Sequence, residues 1–152
     1  MADQAALTEL DAISWSADSG FPSVTGLRSG IFFTTENRPE DHLVAEFDGH
    51  VVGYIRLKPP TRLPENAHVV QVQGFAVHPA ARRNGAGASL LGAAERQLRE
   101  RGVRKLSLRV LSTNQGAIRL YERQGFTREG ALLGEFWING RYVDDVMMAK
   151  QL

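Results

Sequence analysis

Val77 to Leu91 reads VHPAARRNGAGASLL, and the glycines in this stretch decide how the rest of the chain is read. Before it, His68 to Val77 (HVVQVQGFAV) carries the β-branched pattern of a strand. After it, Gly87 to Arg101 (GASLLGAAERQLRER) places Leu90, Leu91, Ala94 and Leu98 on one helical face. The run Arg82-Arg83-Asn84-Gly85-Ala86-Gly87 therefore joins a strand to the start of a helix. A helix start offers unpaired N–H donors and a partial positive charge, and glycines let a bulky anion approach them closely. Arg82 and Arg83 add charge, so a pyrophosphate fits the loop. A lone R-x-x-G-x-G is more often a shaped turn, so the motif is weak by itself. Two other nucleotide loops are excluded. A dinucleotide fingerprint needs a third glycine where Leu90 stands, and a Walker loop needs Gly-Lys-Ser/Thr.

Upstream, LVAEF from Leu43, the turn Asp48-Gly49 and VVGYIRL from Val51 predict a β-hairpin. Pro59, Pro60 and Pro64 make Lys58 to Ala67 a loop, since proline removes ladder donors. Gly74 inside the next strand marks a bulge, where strand partners part and backbone groups become free for a ligand. Downstream, Gly102 ends the helix, Lys105 to Val110 is a strand, and Gln115 to Arg123 is a second helix closed by Gly125. A final hairpin turns at Asn139-Gly140. At the beginning, Ala5 to Trp15 spaces Leu7, Leu10 and Ile13 as a helix, and Asp18 to Gly30 is turn-rich. The order β-β-β-α-β-α-β-β predicts an α/β (α+β) fold, a mixed sheet with helices packed on it.

A length of 152 residues suits one domain with one core. The 18 Lys and Arg nearly balance the 17 Asp and Glu, so no single-sign field recruits nucleic acid or a membrane surface. With no cysteine there is no disulfide framework, no thiolate metal site and no acyl-cysteine intermediate. His42, His50, His68 and His78 match no zinc spacing, so no metal is expected. No secretory leader and no apolar run of about 18 residues is seen, which points to a cytoplasmic protein.

VHPAARRNGAGASLL resembles the acetyl-CoA motif of GNAT acetyltransferases, R/Q-x-x-G-x-G/A after a strand. Leu106 to Phe126 (LSLRVLSTNQGAIRLYERQGF) resembles the family's next stretch: strand, Asn, a short helix bearing Tyr, then Gly-Phe. The likeness covers Leu43 to Leu152 of a single domain, 1–152. It implies a mostly antiparallel sheet with an acetyl-CoA cleft between central strands. The pyrophosphate would lie on Arg82, Arg83, Asn84, Gly85, Ala86, Gly87 and Ala88, and the pantetheine arm would pair with Phe75, Ala76 and Val77. Asn114 would bond the arm's amide and Tyr121 would sit by the thioester sulfur. Helix capping and core filling are the plainer roles of those two residues. The family usually opens with a strand before its first helix, so here that strand is absent or remodelled. Dimerisation is a family habit.

Direct transfer needs a neutral amine, a polarised carbonyl and a proton donor for the departing thiolate. Tyr121 is the expected general acid, and a backbone N–H at Ala76 or Val77 the expected oxyanion donor. Gln71 and Gln73 stand on one strand face where some relatives carry Glu or His, and amides cannot take a proton. They are assigned to holding a water, with Glu135 and Glu46 as alternative carboxylate bases. Arg109 stands where ribosomal-type N-terminal acetyltransferases carry Glu, which argues against that branch.

On the acceptor side, Asp144 and Asp145 could attract a cationic amine, and Trp137, Tyr142, Phe32, Phe33 and the run Glu36 to Asp41 could wall a pocket. Strand packing is the plainer account of them. The expected reaction is acetylation of a primary amine of a small molecule, amino acid or antibiotic-like compound. A peptide N-terminus or protein lysine is the alternative acceptor. From another class, the missing carboxylate base fits a non-catalytic acyl-CoA sensor.

Overall fold

Both periodicities appear in a computed structural model, which describes residues 3–16, 19–21 and 31–152. Helix α1 is Gln4–Ser14, followed by strands β1 (His42–Phe47), β2 (His50–Lys58) and β3 (Val69–Val77). Then come α2 (Ala86–Glu100), β4 (Lys105–Leu111), α3 (Gln115–Arg123), β5 (Thr127–Ile138) and β6 (Arg141–Gln151). The expected element order holds. Both hairpin dipeptides turn left-handed at each position: Asp48 and Gly49 have φ of 48° and 75°, Asn139 and Gly140 have 50° and 80°. That backbone matches the twist of the strands it joins.

The six strands lie in the order β1-β2-β3-β4-β6-β5, and β3 with β4 is the parallel pair. Alternate residues of each strand face opposite sides. Ile55, Val70, Val72 and Val77 meet Leu90, Leu91, Ala94 and Leu98 of α2, with Ile118 and Tyr121 of α3, in the main core. Tyr54 and Ala76 point the other way, onto Leu7 and Leu10 of α1 and onto Phe32. Leu111, Ile138 and Val143 make a third, smaller cluster.

The helices end as their glycines require. Gly102 (φ 76°) lets Val103 N–H reach Leu98 O at 3.0 Å, and Gly125 (φ 88°) does the same for Phe126 and Tyr121 O. Lys150 on β6 ties the layers together, donating to both Glu95 carboxylate oxygens on α2 and to Gln124 O at the end of α3.

Helix α1 departs from the expected stripe. Its buried residues are Leu7, Leu10, Asp11 and Ser14, spaced i, i+3, i+4, i+7. Ile13 falls outside that stripe and is 45% exposed. Polar Asp11 takes the inner position because the Tyr54 hydroxyl donates to it at 2.7 Å and Trp15 Nε1 at 2.9 Å. Among the described residues no strand precedes α1, and β1 is a sheet edge. The turn-rich stretch Asp18 to Gly30 lies outside the described residues except for Ser19, Gly20 and Phe21.

Candidate functional site

The central strands part. β3 pairs with β4 from Val69↔Lys105 only as far as Val72↔Leu108. Beyond that point β3 stays on β2, out to Val77↔Gly53, and β4 stays on β6, out to Leu111↔Asp145. Arg56 pairs with Gly74 and Leu57 with Val72, so Gln73 is an extra residue in β3. A bulge bends its strand and strengthens the local twist, so the parting starts where the sequence places the glycine.

Backbone direction along the open edge follows from one bond. His78 N–H donates to Val52 O at 2.8 Å, so alternation turns Ala76 and Gly74 toward β2 and Phe75 and Val77 toward the cleft. Of the three residues expected on the cofactor arm, Phe75 thus turns its N–H and C=O to the cleft and Val77 its N–H, the Val77 carbonyl accepting from Arg82 Nε. The Ala76 backbone belongs to the ladder.

The loop above the cleft, His78 to Ala88, contains no cysteine and no acid. His78 Nδ1 accepts the Ala80 N–H at 3.0 Å, Arg83 takes φ 70° and Gly85 takes φ 83°. Gly85 is the N-cap of α2; no side chain caps this 15-residue helix and no acid lies in its first turn. Its first N–H groups are therefore directed at the space over the loop. A Cβ on Gly87 would lie 3.0 Å from Leu120 Cδ2 and 3.4 Å from Phe75 Cζ, so glycine lets α2 start close against α3 and β3. Arg83 and Asn84 are exposed, and Ala86 and Ala88 half-buried. Arg82 has other work: its Nε donates to Val77 O at 3.0 Å and its terminal nitrogen to Ser14 O at 2.7 Å. Its side chain fastens the end of α1 to the end of β3.

Asn114 caps α3, accepting the Ala117 N–H on Oδ1 at 3.2 Å. Tyr121 is buried between Phe75 and Phe126, with ring centroids 6.0 and 5.8 Å away. Burial pushes its phenol well above the ordinary value, so it keeps its proton throughout the physiological range. Gln71 and Gln73 share the α1 side of the sheet, the Gln73 amide donating to Gln71 Oε1 at 3.3 Å. Glu135 and Glu46 are not gathered with them. Glu135 is exposed on edge strand β5, with β6 between it and β4, and Glu46 is exposed on β1, with β2 between it and β3.

The two aspartates of β6 are engaged. Asp144 Oδ1 accepts the Gly134 N–H at 2.7 Å and holds a three-residue bulge, Leu133 to Glu135, in β5. Asp145 is buried and accepts Arg109 Nε at 2.7 Å, with a second contact from the same guanidinium. Asp145 is thus already paired with a cation, whereas Asp144 spends one oxygen on the β5 backbone. Trp137 and Tyr142 stack edge-on at 4.7 Å, both exposed. Phe32, Phe33 and His42 pack around Tyr54, and Glu36 O accepts from Arg56 and from Lys58 Nζ, so residues 31–41 are pinned over β1 and β2. Sequence reasoning missed Arg56 and Asp11, whose partners lie 20 and 43 residues away.

Comparisons with known proteins agree with this geometry. Residues 7–126 match the profile described as Acetyltransferase (GNAT) family. Over 119 residues the chain is 35% identical to an N-alpha-acetyltransferase of Sulfurisphaera tokodaii, covering 72% of this chain and 68% of that protein. It is 39% identical over 87 residues to mycothiol acetyltransferase of Sanguibacter keddieii, a match spanning 57% of this chain but only 28% of that relative. The solved structure of yncA from Salmonella typhimurium with its cofactor acetyl-CoA superposes with a TM-score of 0.79 at 26% identity, covering 99% of this chain and 89% of that one. The chain belongs to the acetyltransferase (GNAT) family.

Proposed function

We propose that this protein transfers the acetyl group of acetyl-CoA directly to the primary amine of a small molecule. The observation that carries the reading is the cleft between β3 and β4, opening beneath the uncapped start of α2. The donors at Gly85 to Ala88 suit a pyrophosphate, and Arg83 adds charge from the exposed loop. The Phe75 backbone groups and the Val77 N–H suit an extended amide-bearing arm, which they would bind as an added strand. Asn114 uses Oδ1 for capping, so its Nδ2 is the atom that would donate to the arm. The structure of yncA was solved with acetyl-CoA, which supports the same cosubstrate here.

Acetyl-CoA supplies an activated acyl carbon, and the chain supplies position and proton control. The Val77 N–H would polarise the thioester carbonyl. Tyr121, buried on the helical side between Phe75 and Phe126, would give its proton to the departing thiolate. Gln71 and Gln73 lie on the opposite side of the sheet, where they would hold the water that takes the amine's proton. A peptide N-terminus is the second reading, favoured by the name of the Sulfurisphaera tokodaii relative.

The test is release of free thiol from acetyl-CoA across panels of small amines and peptides, for wild type and Tyr121→Phe. A general acid is worth about 10²–10⁴-fold, so kcat should fall by at least about 10²-fold in the variant. Its acetyl-CoA affinity should stay near that of wild type. Turnover indifferent to the phenol would remove Tyr121 from the mechanism, and binding without turnover on any amine would favour the sensor.

A further inference from the structure

Arg82 holds the first position of the R-x-x-G-x-G loop, where its charge reads as a phosphate ligand. The folded chain uses that guanidinium on protein carbonyls instead. Nε donates to Val77 O at 3.0 Å and a terminal nitrogen to Ser14 O at 2.7 Å, so adjacent donors of one planar fork join β3 to α1. Hydrogen bonds from a charged donor are stronger than neutral ones, which suits a side chain that fixes two elements at once.

The two bonds act on opposite ends of the open β3 edge. Val77 is the last residue of β3. Ser14 lies in the last turn of α1, whose carbonyls lack intrahelical partners and which holds no basic residue of its own. Arg82 brings to that turn the cation a helix C-terminus favours. One turn back along α1, buried Asp11 accepts the Tyr54 hydroxyl at 2.7 Å. Tyr54 in turn lies against Gly74, where a Cβ would stand 3.2 Å from its Cε2 and 3.8 Å from its hydroxyl oxygen. Gly74 follows Gln73, the extra residue of the bulge at which the strands part. Arg82 therefore braces the edge directly at Val77 and, through α1 and Tyr54, at Gly74.

We propose that Arg82 is a positioning residue for the transfer step and not a ligand of the pyrophosphate: it holds the Phe75 backbone groups and the Val77 N–H in register with the acetyl group. This rests on the acetyl-transfer reading above and deepens it. The effect falls on rate more than on affinity. The phosphates would be held by N–H groups at the start of α2, whereas the Val77 N–H meets the oxygen on which charge develops. A misplacement of about 1 Å at such a point can cost about 10²-fold.

The experiment measures kcat by thiol release, with the amine of the panel above that turns over fastest, and acetyl-CoA Kd by calorimetry. A cooperative thermal melt on each variant confirms the fold. Arg82→Gln should lower kcat at least about tenfold while Kd stays within about threefold of wild type. Arg82→Lys keeps the charge but loses the fork that reaches two carbonyls, so its kcat should stay near that of Arg82→Gln. A phosphate ligand, by contrast, could be replaced by lysine as a point charge. Tyr54→Phe made together with Asp11→Asn, which leaves no buried carboxylate short of that donor, should lower kcat as well. Adding Arg82→Gln to that pair should cost less than Arg82→Gln costs alone, because both act on one brace. An affinity loss as large as the kcat loss, wild-type kcat in Arg82→Lys, or effects that simply multiply would overturn the proposal. Failure of folded wild type to bind acetyl-CoA would instead remove the reading on which it stands.

Discussion

His42 shows how much one side chain can depend on neighbours that sequence does not reveal. Its Nδ1–H donates to Arg38 O at 2.8 Å, and its Nε2, buried against Phe32, Phe33 and Tyr54, has no hydrogen-bond partner among the described residues. Burial, and then the nearby charges of Arg56 and Lys58, lower its pKa below 6.5, while the Arg38 bond and Asp41 oppose the shift. A depressed pKa means that the unfolded chain binds the proton more readily. The stability His42 contributes is therefore present above pH 6.5 and lost as pH falls through the folded value. Thermal unfolding between pH 7.5 and 5 should accordingly lower Tm more in wild type than in His42→Phe; equal losses would contradict this. At the same scale, the loop residues and Tyr121 were legible because a motif names them by spacing. The work of Arg82, Asp144 and Asp145 was not, because charge in a sequence does not say which backbone group or side chain will engage it.

Elements were the most legible level. Asp48-Gly49 and Asn139-Gly140 supply the positive φ values that two-residue hairpins need, and Leu90, Leu91, Ala94 and Leu98 mark the inner face of α2. The bulges were legible only where a glycine announced one. Gly74 did so for β3, whereas the extra residues of β5 depend on Asp144 across the hairpin. How closely elements pack also escapes the pattern, and glycines carry it. A Cβ on Gly53 would lie 3.0 Å from both Ala76 O and Leu90 Cδ1. Gly53→Ala should then cost about 1–3 kcal/mol of overpacking, more than the ~0.5–1 kcal/mol that alanine returns in a strand. Gly116, in the first turn of α3, has nothing within 4 Å of its would-be Cβ, and Gly116→Ala should stabilise by up to about 1 kcal/mol. Denaturant midpoints moving in opposite directions would confirm the packing, and a shared direction would refute it.

For the molecule as a whole, the proposed function rests on one topological event, the parting of two parallel strands next to a helix whose start no described side chain caps. The order of elements implied a mixed sheet, but the four-residue extent of the β3–β4 pairing could be read only from the folded chain. That cleft and loop imply that the start of α2 binds the anionic end of acetyl-CoA. The most direct measurement is calorimetric titration of acetyl-CoA into wild type, Gly85→Asn and Gly85→Asp. Gly85 has φ 83° and open space around a Cβ, and Asn and Asp tolerate that backbone about equally, so the two variants differ in charge at nearly constant shape. Wild type should bind, Gly85→Asn should bind modestly more weakly, and Gly85→Asp should lose at least about a further tenfold. Equal affinity in the two variants, or no binding by folded wild type, would contradict it.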